Sequence, residues 1–141
     1  MERIDHIGIA VKDLEKANLF YKKLLGTAHY KIEFVEGENV NTSFFKMGEN
    51  KIELLEATSP DSPITKFLEK NGEGMHHIAY SVDDIKGELK RLKEEGFELI
   101  DETPKRGADN KWVAFIHPKS AGGILIELCQ DVLTPDLPTR E

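Results

Sequence analysis

Two stretches of this chain repeat one another. Asp5-His6-Ile7-Gly8-Ile9-Ala10-Val11-Lys12-Asp13-Leu14 matches His76-His77-Ile78-Ala79-Tyr80-Ser81-Val82-Asp83-Asp84-Ile85, placing His77 71 residues after His6. Later, Lys51-Ile52-Glu53-Leu54-Leu55 matches Leu125-Ile126-Glu127-Leu128-Cys129 at a shift of 74. Self-similarity at a fixed period means one supersecondary unit used twice. Each half opens on a histidine strand and closes on a glutamate strand, and 141 residues are enough for two such units in one domain of ordinary size.

The elements between these landmarks agree. Ile7, Ile9 and Val11 alternate with His6, Gly8 and Ala10, the period of two of a strand with one apolar face. Asp13 then stands where a helix N-cap belongs, with Glu15 in the first turn, and Leu14, Ala17, Tyr21, Leu24 and Leu25 form an apolar stripe up to Gly26. In the second half Asp84 caps a helix with Ile85, Leu89 and Leu92 on one side, ending at Gly96. Three strand-like runs follow each helix: residues 30–35, 42–47 and 51–56 in the first half, then 98–100, 112–117 and 124–129 in the second. Each half reads βαβββ. The expected fold is α+β, two βαβββ modules related by a pseudo-twofold axis. The expected organisation is one domain over residues 1–131, with module one at about 3–57, a linker helix at about 58–72 and module two at about 73–130. Residues 132–141, with Pro135 and Pro138, are expected to form a flexible tail.

Charge narrows the function. Nineteen Lys and Arg against 26 Asp and Glu leave a net charge of -7, which repels nucleic acid and anionic membrane surfaces. Nothing approaches the roughly 18 consecutive apolar residues of a membrane span, and the first residues lack the order of a signal peptide, so a cytoplasmic location is expected. The single cysteine, Cys129, cannot form an internal disulfide and reads as packing in a strand.

If Ile7, Ile9 and Val11 face the helix, His6 faces the other way, and His77 follows by the same argument. Glu53 and Glu127 each lie between apolar residues and point away from them. The pattern predicts that His6, Glu53, His77 and Glu127 face one cleft, where a buried carboxylate must be paired, metal-bound or protonated. Two imidazoles and two carboxylates suit Zn, Fe, Ni, Co or Mn, and four protein ligands around an ion that prefers six leave two positions for a bidentate oxygen ligand.

The runs D-H-I-G-I-A-V with H-H-I-A-Y-S-V, and I-E-L-L-E with I-L-I-E-L, resemble the vicinal oxygen chelate (glyoxalase/bleomycin resistance/dioxygenase) superfamily, from residue 3 to about 130. Three further runs resemble the methylmalonyl-CoA epimerase family within it: Gly48-Glu49-Asn50-Lys51-Ile52-Glu53-Leu54-Leu55-Glu56-Ala57, Gly72-Glu73-Gly74-Met75-His76-His77-Ile78-Ala79, and Phe115-Ile116-His117-Pro118-Lys119-Ser120. The resemblance implies an open eight-stranded sheet forming a glyoxalase-like cleft. It implies one divalent ion, Co, Zn, Mn or Ni, on His6, Glu53, His77 and Glu127, with His76 in a packing role. The implied reaction is epimerisation of methylmalonyl-CoA at the carbon between carboxylate and thioester, through an enolate that the ion stabilises, with Glu127 and Glu53 as acid/base groups.

Two departures from the family pattern stand out. No carboxylate occurs in Asn41-Thr42-Ser43-Phe44, where some relatives carry a second glutamate, and Gly107-Ala108-Asp109-Asn110 replaces a Gly-Ala-Gly-Gly run. Lys119, Ser120 and Lys111 are the expected contacts of the acyl-CoA, within a basic group that includes Lys105 and Arg106 beside Trp112. A lactoylglutathione lyase, or a metal-free small-molecule binding protein of the same fold, is the alternative, and a homodimer is the expected assembly. A ring-cleaving dioxygenase fits less well, because Glu53 would take a position that oxygen needs.

Overall fold

The computed structural model describes residues 1–132, so the expected tail lies almost wholly outside the described residues. The elements are β1 (Arg3–Ala10), α1 (Leu14–Leu25), β2 (Lys31–Val35), β3 (Val40–Met47), β4 (Asn50–Ala57), α2 (Pro63–Asn71), β5 (Gly74–Ser81), α3 (Ile85–Glu94), β6 (Lys105–Gly107), β7 (Lys111–Ile116) and β8 (Ile126–Asp131). Both halves are βαβββ modules, as the repeat predicts. Two compact units are present: His6–His76, and residues 77–132 together with Met1–Asp5.

In the unit His6–His76 the strand order is β2-β3-β4-β1. β4 pairs antiparallel with β3 and in parallel with β1. Asp13 caps α1, its side chain accepting from the Lys16 amide, and Gly26 ends the helix at φ 77, a left-handed conformation that glycine adopts without steric penalty. Leu14, Ala17, Tyr21 and Leu25 pack α1 onto Ile9, Val11, Phe45, Ile52 and Leu54. Leu24 does not join them: it is one residue off the i, i+3, i+4 stripe and stands exposed. The other face of β1 is the more deeply buried, with His6 and Ala10 nearly inaccessible, because α2 brings Ile64, Phe67 and Leu68 against Ala10, Val40 and Leu55.

In the unit 77–132 the order is β5-β8-β7-β6. Asp84 caps α3 by accepting from the Gly87 amide, and Ile85, Leu89 and Leu92 pack on Ala114, Ile116 and Leu128. Met1–Asp5 is tied to this unit by the Glu2 amide donating to the Ser81 carbonyl at 2.9 Å and by the N-terminal amine at 3.0 Å from Glu88. Cys129 is buried beside Ala79 and Val113, in the packing role expected of it.

The sixth strand is a correction. Leu99 makes only a single bridge, to Ile116, and the strand lies later, at Lys105–Gly107. Its sequence has no apolar alternation, so no periodicity announces it. Pairing with β7 supplies the order instead: Gly107 stands opposite Lys111, and a Cβ at Gly107 would come within 2.8 Å of Val113 Cγ1, so only glycine fits so close an approach.

Candidate functional site

The parallel ladders place one histidine beside one glutamate in each unit. Between β1 and β4, Gly8 is the partner of Glu53; between β5 and β8, Ala79 is the partner of Glu127. In both ladders the histidine stands two residues before the glutamate's partner, and residues two apart on a strand share a face. His6 Nδ1 lies 3.2 Å from Glu53 Oε2, and His77 Nε2 lies 3.0 Å from Glu127 Oε1, with every one of these side chains at most 8% exposed.

A second repeated contact holds each glutamate strand to its helix. Glu56, three residues after Glu53, accepts from the Leu14 amide at 2.9 Å; Gln130, three residues after Glu127, accepts from the Ile85 amide at 2.7 Å. Leu14 and Ile85 are the first residues of α1 and α3, whose leading amides have no partner within the helix. The bonds satisfy those donors and fix the ends of β4 and β8. Sequence reasoning missed both residues, although their common offset from the glutamates was a readable signal.

The surroundings of the pairs differ. On β3, Phe44 is the partner of Glu53, so Phe44 and Thr42 share its face. Ser43 points the other way and donates to Asn18 Oδ1 on α1 at 2.6 Å. Glu53 is therefore the carboxylate that this module offers on that face of β3 and β4 beside His6. In the other unit Phe115 is the partner of Glu127, and its ring meets the His77 imidazole edge-on, with centroids 5.9 Å apart and planes at 86°. His76 packs edge-on against Phe67 of α2 at 5.0 Å.

Of the three substrate-contact candidates, Lys111 is 2.5 Å from Asp131 Oδ1 and 3.8 Å from Asp5 Oδ1. Lys119 is exposed on the turn Pro118–Ser120, where its amide donates to His117 Nδ1 at 3.0 Å. Ser120 Oγ donates to the His117 carbonyl at 3.1 Å and accepts from the Glu98 amide at 2.8 Å, so the His-Pro-Lys-Ser run is braced by its own side chains. Trp112 packs with the α3 cluster, beneath the Arg106 guanidinium at 5.2 Å.

Imidazole nitrogen and carboxylate oxygen are the donors that borderline divalent ions take, and His6, Glu53, His77 and Glu127 are the residues that could hold one. The fit has an energetic side. A carboxylate this far from water costs several kcal/mol unless compensated, and a divalent charge is a strong compensator. The arrangement offers a buried carboxylate in each module, the requirement for moving protons to and from a bound carbon acid.

Comparison with known proteins places the chain. Residues 5–115 match the family model described as Glyoxalase/Bleomycin resistance protein/Dioxygenase superfamily. The human mitochondrial methylmalonyl-CoA epimerase is 43% identical over 91% of this chain and 73% of its own length. The ethylmalonyl-CoA/methylmalonyl-CoA epimerase of Cereibacter sphaeroides is 42% identical over 91% of this chain and 97% of its own. A solved methylmalonyl-CoA epimerase in complex with methylmalonyl-CoA and NH4+ superposes with a TM-score of 0.90 at 34% identity, covering 94% of this chain and 96% of that one. The chain thus belongs to the glyoxalase/bleomycin resistance protein/dioxygenase superfamily and, within it, to the methylmalonyl-CoA epimerase family.

Proposed function

We propose that this protein is an isomerase that inverts methylmalonyl-CoA at the carbon between the carboxylate and the thioester, with one divalent cation held by His6, Glu53, His77 and Glu127. The observation that carries the reading is the duplicated, buried His/Glu pair in a chain whose relatives are named for this reaction. The ion, Co, Zn, Mn or Ni, would supply positive charge to the two oxygens that flank the reacting carbon and so lower the pKa of its C–H bond.

Inversion requires proton transfer on both faces of a planar enolate. Glu127 takes the proton from one face: the C–H bond breaks, its electron pair delocalises onto the thioester, and the proton rests on the carboxylate. Glu53, protonated, delivers its own proton to the opposite face and closes the new C–H bond. The enzyme is left with the two protonation states exchanged, ready to run the reverse direction or to re-equilibrate with solvent. Burial favours this division of labour, because it moves a carboxylate pKa toward the neutral form and so toward proton exchange near neutral pH. His6 and His77 hold the carboxylates in place at 3.2 and 3.0 Å. A homodimer in the cytoplasm goes with this reading; among the described residues no helix is long and apolar enough to cross a membrane.

The test is one epimer of methylmalonyl-CoA in deuterated water with metal-loaded protein, followed by proton NMR. The expected result is loss of the signal from the central C–H and appearance of the other epimer. Metal-loaded protein that leaves that proton in place would overturn the proposal.

A further inference from the structure

The unit 77–132 carries a cation on the face of its His/Glu pair. Lys105 on β6 is the partner of Val113 on β7, and Phe115, two residues on, lies on that same face. Lys105 Nζ stands 5.4 Å from the centre of the Phe115 ring, whose centre is 5.9 Å from that of the His77 imidazole. The ammonium is thus no more than about 11 Å from the imidazole, with one aromatic ring between them. Asp101 sets its position: Oδ1 is 3.5 Å from Nζ, and Oδ2 accepts from the Phe115 amide at 2.9 Å, which pins the carboxylate to β7.

The other lysines of the region are less suited. Lys111 has a close ion pair with Asp131 and a second acidic neighbour in Asp5. Lys119 is exposed on a turn. Lys105 combines a looser partner with a side chain 42% exposed, and an ammonium has three donors, so it retains the capacity to bind an anion that approaches over Phe115. An acyl group seated at His77 and Glu127 would extend its carboxylate across this ring.

We infer that Lys105 is a specificity-determining residue that binds the free carboxylate of the acyl group, selecting carboxylated acyl-CoA esters over uncharged ones. The inference rests on the acyl-CoA reading of the site but not on its chemistry. Lys105 selects; it moves no proton.

The experiment is calorimetric titration of the metal-loaded protein and of its K105M and K105R variants with malonyl-CoA and with propionyl-CoA, which differ in the carboxylate. The wild type is expected to favour malonyl-CoA by more than tenfold, K105M to lose about tenfold of that preference by weakening malonyl-CoA alone, and K105R to restore most of it. Melting temperatures within the scatter of the wild type show that the variants are folded, and D101N offers a second, milder route to the same loss through a freed Lys105. An unchanged preference in K105M, equal weakening of both esters, or no preference in the wild type would overturn the inference. If Lys105 governs the preference while no deuterium enters methylmalonyl-CoA, the reaction assigned above fails and the carboxylate site stands.

Discussion

Glu56 and Gln130 occupy the same place in the two halves: each follows a buried glutamate by three residues and accepts a hydrogen bond from the first amide of its module's helix. The duplication extends from residue type to hydrogen-bond geometry. It locks β4 to α1 and β8 to α3 at the end nearest the functional carboxylates.

Removing one of these acceptors should destabilise the fold. Gln130 is 4% exposed, so Q130L would leave the Ile85 amide without its side-chain partner in a dry site, at a cost of about 1–3 kcal/mol in chemical denaturation. E56Q keeps an acceptor oxygen and should cost less than half as much. Equal stability of Q130L and the wild type would show that the bond does not hold the helix.

Substituting the acid/base group tests the chemistry apart from the fold. E127Q preserves shape and burial but cannot exchange a proton, and should lower kcat by about 10²- to 10⁴-fold with the far-ultraviolet circular dichroism spectrum unchanged. Epimerisation at wild-type rate in E127Q would remove Glu127 from the mechanism.

The loop that replaces the family's glycines stores strain. Asp109 and Asn110 have φ of 61° and 56°, and the Asn110 side chain accepts from Arg106 Nη2 at 2.7 Å. Asparagine tolerates this region of backbone space, and a β-branched residue does not. N110V should therefore lose about 1–2 kcal/mol and N110G should stay within about 0.5 kcal/mol of the wild type in urea unfolding, by the backbone cost of left-handed residues.

Acid should weaken the tie between Met1 and α3. Burial on its own would raise the Glu88 carboxyl, but hydrogen bonds and charges from Arg91 and the N-terminal amine outweigh it and hold the group below its ordinary 4.5. A carboxyl depressed on folding stabilises in full above its unfolded value and loses that contribution as pH falls through the folded one. E88Q should lower the melting temperature at pH 7 by a degree or two, consistent with a pair worth up to about 1 kcal/mol, and the difference should vanish well below pH 4.5. A difference constant with pH would contradict the assignment.

Much of the fold was legible because local chemistry and the repeat agreed. Asp13 and Asp84 are caps by residue type and by hydrogen bond, and Gly26 has the left-handed backbone that its position after an apolar stripe implies. The pairing of His6 with Glu53 and of His77 with Glu127 followed from strand periodicity and matched offsets. What stayed hidden depends on partners distant in sequence. Lys105-Arg106-Gly107 carries no strand pattern of its own and is ordered by β7, so neither β6 nor the seat of Lys105 over Phe115 could be read in advance. Leu99 and Ile100 have strand-forming residue types without a full partner strand, and the expectation there failed for that reason.

The central claim is that two His/Glu pairs serve one ion. Metal-free protein titrated with Co²⁺, by calorimetry and by the visible absorption of the bound ion, should reach a stoichiometry of one per chain, and both H6A and H77A should weaken that same single event by at least tenfold. Two ions per chain, each lost independently with its own histidine, or no binding at all, would contradict the account.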